Sequence, residues 1–259
     1  MSPSQKILEL GIRANLGQFI VQTLLVFFVG MTIWLERNVV PVLAEEDFAI
    51  ASSSVILSFV VSFGFVKAIL NLIGGRPSES WGRKPILIAG WLAAVPIPLI
   101  IIFAPNWWWI VGANVLMGVN QGLAWSMTVT SKMDLVGERR RGLVMGINEF
   151  PGYTGVAVSV LVTGYLAASY GLRPAPFYFG LAMILAALGV ALVFKLTTWQ
   201  DRALFSCCQA GLLHKITDAL VWVSFPLYFR SKGLDVGQIG LIVGVYGLTW
   251  GYFSSSPAP

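Results

Sequence analysis

The chain alternates long apolar runs with short polar connections. Apolar runs of this length predict helices, because about 20 helical residues cross the roughly 30 Å hydrocarbon core of a bilayer. Eight spans are predicted: Leu16–Leu43, Ala49–Ile73, Pro85–Phe103, Trp107–Met133, Gly142–Ala168, Ala175–Leu196, Ala203–Phe229 and Gln238–Phe253. The last has roughly 16 residues and would reach only about 24 Å. The pattern therefore predicts an all-α polytopic membrane protein.

Composition supports a membrane protein and excludes several other classes. Charged residues make up 11% of the 259-residue chain, against roughly 25% in soluble domains. The net charge of +5 is explained by cationic cytoplasmic loops better than by nucleic-acid binding. We therefore expect a lipid bilayer as the surroundings, and no nucleic-acid partner.

The distribution of Lys and Arg predicts a cytoplasmic N-terminus in the plasma (inner) membrane, since cytoplasmic loops collect these residues. With that orientation, eleven cations lie on the cytoplasmic side: Lys6, Arg13, Arg76, Arg83, Lys84, Lys132, Arg139, Arg140, Arg141, Lys195 and Arg202. Three lie on the outer side: Arg173, Arg230 and Lys232.

A short polar knot, Gly75-Arg76-Pro77-Ser78-Glu79-Ser80-Trp81-Gly82-Arg83-Lys84, separates the second and third spans. Read as Gly-x-x-x-acid-x-x-Gly-Arg-Lys, it resembles the signature loop of major facilitator superfamily transporters. The family usually has Asp where this chain has Glu79, and Arg where it has Ser80. The two glycines and the Arg-Lys pair of the pattern are present, whereas positions 79 and 80 differ from the usual residues.

The resemblance implies a function for this loop. In the family the loop latches the cytoplasmic side and helps to set the alternating-access equilibrium, which implies that role for Glu79, Arg83 and Lys84. Gly75 and Gly82 would permit the tight turns. The alternative is an ordinary cationic loop that only fixes the topology, since a short motif also occurs by chance.

A second cytoplasmic connection, residues 134–142, also resembles the family. There an acid and then an Arg-Gly pair lead into the fifth helix, and the matching residues here are Asp134, Arg140, Arg141 and Gly142. The alternative is again positive charge that only marks the cytoplasmic side. For any single Arg in this connection the alternative is preferred.

The resemblance implies twelve helices in two halves, with the solute between the halves at mid-membrane. Residues 1–200 would form the N-terminal six-helix half, and residues 201–259 about two helices of the second half. A loose internal repeat, in which Trp34–Pro41 is echoed by Trp222–Pro226, agrees with duplicated halves. On this interpretation the chain is truncated after the start of its second half.

Ionisable residues inside the spans are the candidates for binding solute or carrying a proton. A charge at mid-bilayer costs at least about 2.5–3.5 kcal/mol, so such residues are usually functional. Glu36 and Arg37 lie late in the first span and should diverge by about 100° on a helix. Asp218 lies mid-way along the seventh span, with His214, a weaker candidate, one turn earlier.

Glu149, in the fifth span, is the preferred candidate for a proton-linked acid. A carboxyl group withdrawn from water can exchange a proton near physiological pH, as proton coupling requires. The alternative is a structural Glu149 that hydrogen bonds to Asn114, Asn120 or Gln121 of the fourth span. Lys67, near the inner end of its helix, is expected to extend its ammonium toward the interface.

Small residues predict the helix contacts. Ser54, Ser58 and Ser62 recur every four positions on the second span, and Gly118 and Gly122 do so on the fourth. Such faces let helix backbones approach closely in lipid.

The fifth helix also bears on function. Drug–proton antiporters of the superfamily carry Gly-Pro-x-x-Gly-Gly there. In this chain Pro151-Gly152 is followed by Tyr153-Thr154-Gly155, so drug antiport lacks its best marker.

No enzyme signature is found. The chain lacks a phosphate-binding loop, a metal-ligand cluster and any sign of a cofactor, and we predict that it is not an enzyme. The leading hypothesis is a secondary transporter of a small solute by alternating access, proton-coupled, with efflux slightly favoured by resemblance. The second hypothesis is a non-transporting fragment or interaction partner. A third is a homodimer, or a partner chain that supplies the missing half.

Overall fold

The computed structural model describes residues 11–73, 81–136, 141–193 and 228–255, and these ranges contain helices and turns without a β-strand. The helices are α1 (Leu16–Arg37), α2 (Val40–Glu46), α3 (Ser53–Ile73), α4 (Arg83–Ala94), α5 (Pro96–Ile102), α6 (Trp107–Asn120), α7 (Ser126–Val136), α8 (Arg141–Tyr170), α9 (Ala175–Val193) and α10 (Val236–Ser255). A π-helical segment, Gln121–Trp125, joins α6 to α7.

Two of the predicted spans are broken where proline requires it. The first span ends its regular helix at Arg37 and resumes at Val40, with Pro41 in the first turn of α2. The third span divides into α4 and α5 at Pro96. Proline lacks the N–H of a helix interior but fits the first turn of a new helix.

Within the described residues, five segments are long and apolar enough to cross a membrane: Leu16–Glu46, Ser53–Leu72, Arg83–Ile102, Leu143–Tyr170 and Ala175–Val193. The helix that runs from Trp107 to Val136 is as long but is not among them. Its buried face carries amides, Asn114, Asn120 and Gln121, which lower its hydropathy. This helix therefore contributes buried polar side chains to the interior of the bundle.

Glycines bring α1 and α8 into backbone contact. A Cβ atom added at Gly30 would collide with the carbonyl oxygen of Gly152, and one added at Gly155 with the carbonyl oxygen of Phe27. Without side chains at these positions the two helices can approach as closely as their backbones allow.

Small residues also join α3 to α6, as the sequence predicts. Gly118 lies against the Phe63 carbonyl, where an added Cβ would be 2.8 Å from the oxygen. Ser62 donates to the Val111 carbonyl at 3.3 Å, and Ser58 accepts from the Trp107 indole at 3.0 Å. The predicted faces are confirmed at these positions, whereas Ser54 is exposed.

The final helix differs from its prediction. α10 has 20 residues, or about 30 Å at 1.5 Å per residue, instead of the 16 expected. It packs on α8, and Ile239 and Val243 join Trp34 and Val160 in one apolar cluster. Of the predicted seventh span, only residues 228 and 229 lie in the described ranges; residues 228–231 are helical.

Charged residues lie at both ends of the bundle. One, called the acidic end, carries Glu45, Glu46 and Asp47 after the first span, with Arg173 and Arg230 beside them; the other, called the basic end, carries Arg83 and Lys84. At the acidic end the Arg173 guanidinium binds Asp47, and it donates to the carbonyls of Ile101 at 3.4 Å and Ala104 at 3.2 Å. One arginine therefore ties the first, third and sixth spans together.

We expect Gly155→Ala to destabilise the bundle, because the added methyl group meets the Phe27 carbonyl. Forced overpacking of this kind costs about 1–3 kcal/mol. The matched control is Gly112→Ala in α6, where nothing lies within 4 Å of an added Cβ. Thermal unfolding in detergent measures both: the midpoint should fall for Gly155→Ala and hold or rise for Gly112→Ala. Equal midpoints would show that the α1–α8 contact is looser than described.

Candidate functional site: buried polar side chains between the helices

Polar and charged side chains are buried along the interior of the bundle from the acidic end to the basic end. They belong to α1, to α3, to the fourth span and to α8. The set includes Gln22, Glu36, Arg37, Asn38, Lys67, Asn114, Asn120, Gln121, Ser131, Lys132, Asn148, Ser159 and Thr163. Ionisable groups in such positions are costly and are functional candidates by default.

Glu36 and Arg37 form the charged centre near the acidic end, with 1% and 5% of their surfaces exposed. The Arg37 guanidinium lies over two rings of α3, 5.1 Å from the centroid of Phe59 and 4.6 Å from that of Phe63. It also interacts electrostatically with Glu36. Aromatic faces attract cations, so α3 holds the arginine while Glu36 stays out of a direct ion pair.

Neither oxygen of the Glu36 carboxylate accepts a hydrogen bond of ordinary geometry from the described residues. The Asn114 side chain of α6 lies close enough to interact with it, but the Asn114 amide nitrogen donates to the Ile110 carbonyl at 3.2 Å. A buried carboxylate without fixed donors can take a proton or the donor of a ligand. This chemistry is what a coupling site requires.

Side-chain amides of the fourth span donate hydrogen bonds to backbone carbonyls of the neighbouring helices. Asn120 donates to the Gly90 carbonyl of α4 at 3.0 Å, and Gln121 donates to the Val29 carbonyl of α1 at 3.1 Å. These bonds occupy the amides that we considered as structural partners for Glu149. Asn114, as described above, also bonds elsewhere.

The position of the Lys67 side chain differs from the sequence-based expectation. We expected it to extend toward the interface, but it is 8% exposed and turns inward. Its ammonium lies 5.5 Å from the ring centroid of Phe63 and 5.7 Å from that of Trp125. These aromatic faces attract the ammonium group, which therefore does not need to reach the membrane interface. The spacing of residues in the sequence did not predict that the rings would lie beside Lys67.

Lys132 and Asn148 form a second polar centre toward the basic end. Lys132 is fully buried, and its ammonium donates to the Asn148 amide oxygen at 3.1 Å and lies 5.5 Å from the Phe19 ring. Glu149 is half-buried and interacts with Lys132 electrostatically. Sequence reasoning counted Lys132 only as a cytoplasmic cation; its position inside the fourth helix, three residues before Leu135, was the available signal.

Only the end of the signature loop, from Trp81 to Lys84, lies in the described residues. Gly82 has φ of 85°, a conformation that side chains disfavour, and it precedes α4. Arg83 is buried, while Lys84 donates to the Leu192 carbonyl of α9 at 2.7 Å. Gly75 and Glu79 lie outside the described residues, so the proposed latch is untested.

For several other predicted site residues the structure describes no side chain. Arg140, Asp218 and His214 fall in undescribed ranges, and Asp134, Arg141 and Gly142 are described as helical backbone only. Their roles remain predictions.

An ion pair at the acidic end links the first span to the segment before α10. Arg230 binds Glu46 and lies 4.0 Å from Glu45. The side chains are about one third to one half exposed, so water screens the pair. It is nevertheless a contact between parts of the chain that are 184 residues apart.

Comparison with known proteins gives consistent matches. The sequence model of the Major Facilitator Superfamily matches residues 23–204. The chain is 28% identical over 222 residues to multidrug resistance protein MdtG of Proteus mirabilis, which covers 78% of this chain and 54% of that protein. It is 26% identical over 152 residues to solute carrier family 2, facilitated glucose transporter member 10, of Xenopus tropicalis, which covers 54% of this chain and 26% of that protein.

Among solved structures, the partially occluded inward-open xylose transporter XylE from E. coli is similar in fold, with a TM-score of 0.53 and 18% identity. That match covers 84% of this chain and 59% of XylE. The chain thus spans between about a quarter and about half the length of these two curated relatives. With the family match over most of its length, this multi-pass integral membrane protein belongs to the major facilitator superfamily.

Proposed function

We propose that the protein is a secondary transporter of a small solute, coupled to protons, that works by alternating access with efflux slightly favoured. The observation that carries this proposal is the Glu36–Arg37 centre: two charged side chains buried between apolar helices. Its carboxylate, which is outside a direct ion pair, would change protonation while Arg37 stays held by aromatic rings. The named relatives include multidrug, glucose and xylose transporters, which leaves the solute class open.

Orientation and alternating access are part of the proposal. The excess of Lys and Arg along the sequence in the loops on the side of Arg83 and Lys84 supports a cytoplasmic basic end and a cytoplasmic N-terminus in the inner membrane. The Arg230–Glu46 pair would then close the outer side, and the loop of Glu79, Arg83 and Lys84 would latch the inner side. Opening one end while the other is closed is the motion that alternating access needs.

Proton coupling is tested by reconstituting the chain in liposomes that contain a pH-sensitive dye. Gradients of xylose, ethidium and benzenesulfonate offer a neutral, a cationic and an anionic probe. We expect one probe to drive a saturable, protein-dependent pH change and Glu36→Gln to abolish it, because glutamine cannot exchange a proton. Asp235→Asn is the control: it also removes a carboxylate, but Asn still caps α10 as Asp235 does.

Glu149→Gln is measured in parallel, since the sequence favours Glu149 as the coupling acid. Unchanged proton movement in either glutamine variant removes that residue from the mechanism. If no probe moves protons above the level of empty liposomes, the non-transporting hypothesis is preferred for this chain.

The outer closure is tested by accessibility of a cysteine at Asn38, which contacts Val160 and lies near Gly240 where α1, α8 and α10 meet. In a background with Cys207→Ser and Cys208→Ser, Arg230→Gln should speed alkylation by an impermeant maleimide. Exposed ion pairs contribute up to about 1 kcal/mol, so the expected increase is up to about fivefold.

Lys232→Gln is the matched control for this closure. It removes a neighbouring cation whose described contact is the Tyr228 ring rather than a carboxylate. Equal alkylation rates in the two variants would show that the Arg230–Glu46 pair does not hold the acidic end closed.

A further inference from the structure

The Lys132 centre has chemistry that the proton-coupling proposal does not use. Burying an ammonium group costs free energy unless a counter-charge or hydrogen bonds compensate for the lost water. The Lys132 ammonium donates a hydrogen bond to the neutral amide oxygen of Asn148. The nearby Phe19 ring supplies a weaker attraction. Glu149, the acid that interacts with Lys132, is only half-buried. The cation is therefore fixed in position without a close carboxylate.

Hydrogen-bond donors converge at this point. An ammonium group has three N–H donors, and the bond to Asn148 uses one. The Asn148 amide nitrogen, on the same side-chain amide, is buried and has no hydrogen-bond partner in the described ranges. Leaving such a donor unpaired costs about 1–3 kcal/mol. An acceptor that bridged Lys132 and Asn148 would relieve this cost.

The surroundings of these donors are apolar. Phe19, Val136 and Val144 form a separate buried cluster at the basic end, with Ile12 and Ile147 packed against it. Phe19 belongs to this cluster and also lies under the Lys132 ammonium. A ligand at this place would meet N–H donors on one side and hydrocarbon on the other.

We propose that Lys132 and Asn148 bind the anionic group of an organic anion whose apolar body lies against the Phe19 cluster. The site lies between α1, α7 and α8. The inference deepens the proposed function, because it assigns the solute to the class of organic anions. When bound, the anion replaces Glu149 as the counter-charge of Lys132. Asn148 acts as the orienting donor, and Lys132 supplies the charge.

The test is ligand binding to the purified chain in a neutral detergent, which does not depend on transport. Benzoate, benzamide and benzylammonium share one ring and differ in charge. A ligand that binds the folded state raises the unfolding midpoint with concentration. We expect benzoate to raise the midpoint saturably and the other two probes to leave it unchanged.

Variants locate the binding. Lys132→Met should weaken benzoate binding by more than about tenfold, since it removes the buried charge partner, whereas Lys132→Arg should retain it. Asn148→Asp should also abolish binding, because a fixed carboxylate would occupy the ammonium. Lys232→Met is the matched control, since it too removes a lysine that lies over an aromatic ring, and it should bind benzoate normally.

The proposal is overturned if benzamide protects as well as benzoate, or if Lys132→Met or Asn148→Asp binds benzoate with unchanged affinity. If Lys132→Met does not fold, as judged by gel filtration, Asn148→Asp and Lys132→Arg decide the matter. Benzoate binding without any proton-coupled flux would contradict transport but support this site. Flux of xylose or ethidium without benzoate binding would support transport and contradict this anion site.

Discussion

The backbone contact between α1 and α8 is the constraint on which the interior depends. At Gly30 and Gly155 no side chain separates the helices, so the depth and rotation of α1 relative to α8 are fixed by backbone atoms. α8 in turn packs against α10, and Trp34 of α1 shares their apolar cluster. The Lys132 centre includes Phe19 of α1 and Asn148 of α8, and Asn38, the position that reports on the proposed outer closure, lies where α1, α8 and α10 meet.

Several buried cations in the described residues lie against aromatic faces. Arg37 lies over Phe59 and Phe63, and Lys132 lies beside Phe19. A ring attracts a cation without bringing a second charge out of water, which would carry its own desolvation cost. Within the described residues no direct ion pair joins Glu36 to Arg37 or Glu149 to Lys132, although each pair interacts electrostatically.

Much of the fold could be predicted from the sequence, because apolar run length and proline position act locally. Pro41 and Pro96 mark the helix breaks, and Gly118 marks a close contact. The direction of Lys67 could not be predicted, since it depends on Trp125, which is 58 positions away and reaches it only through packing. The Lys132–Asn148 contact depends likewise on how α7 meets α8.

The polarity of the fourth span has a consequence for how the protein is made. The Trp107–Val136 helix is not among the described segments that qualify as spans, and its buried face carries amides. Asn120 and Gln121 reach carbonyls on the third and first spans, and those spans emerge earlier from the ribosome. The fourth helix would enter the bilayer by joining helices already there, and biogenesis of the bundle would be ordered by the same amides that later hold it together.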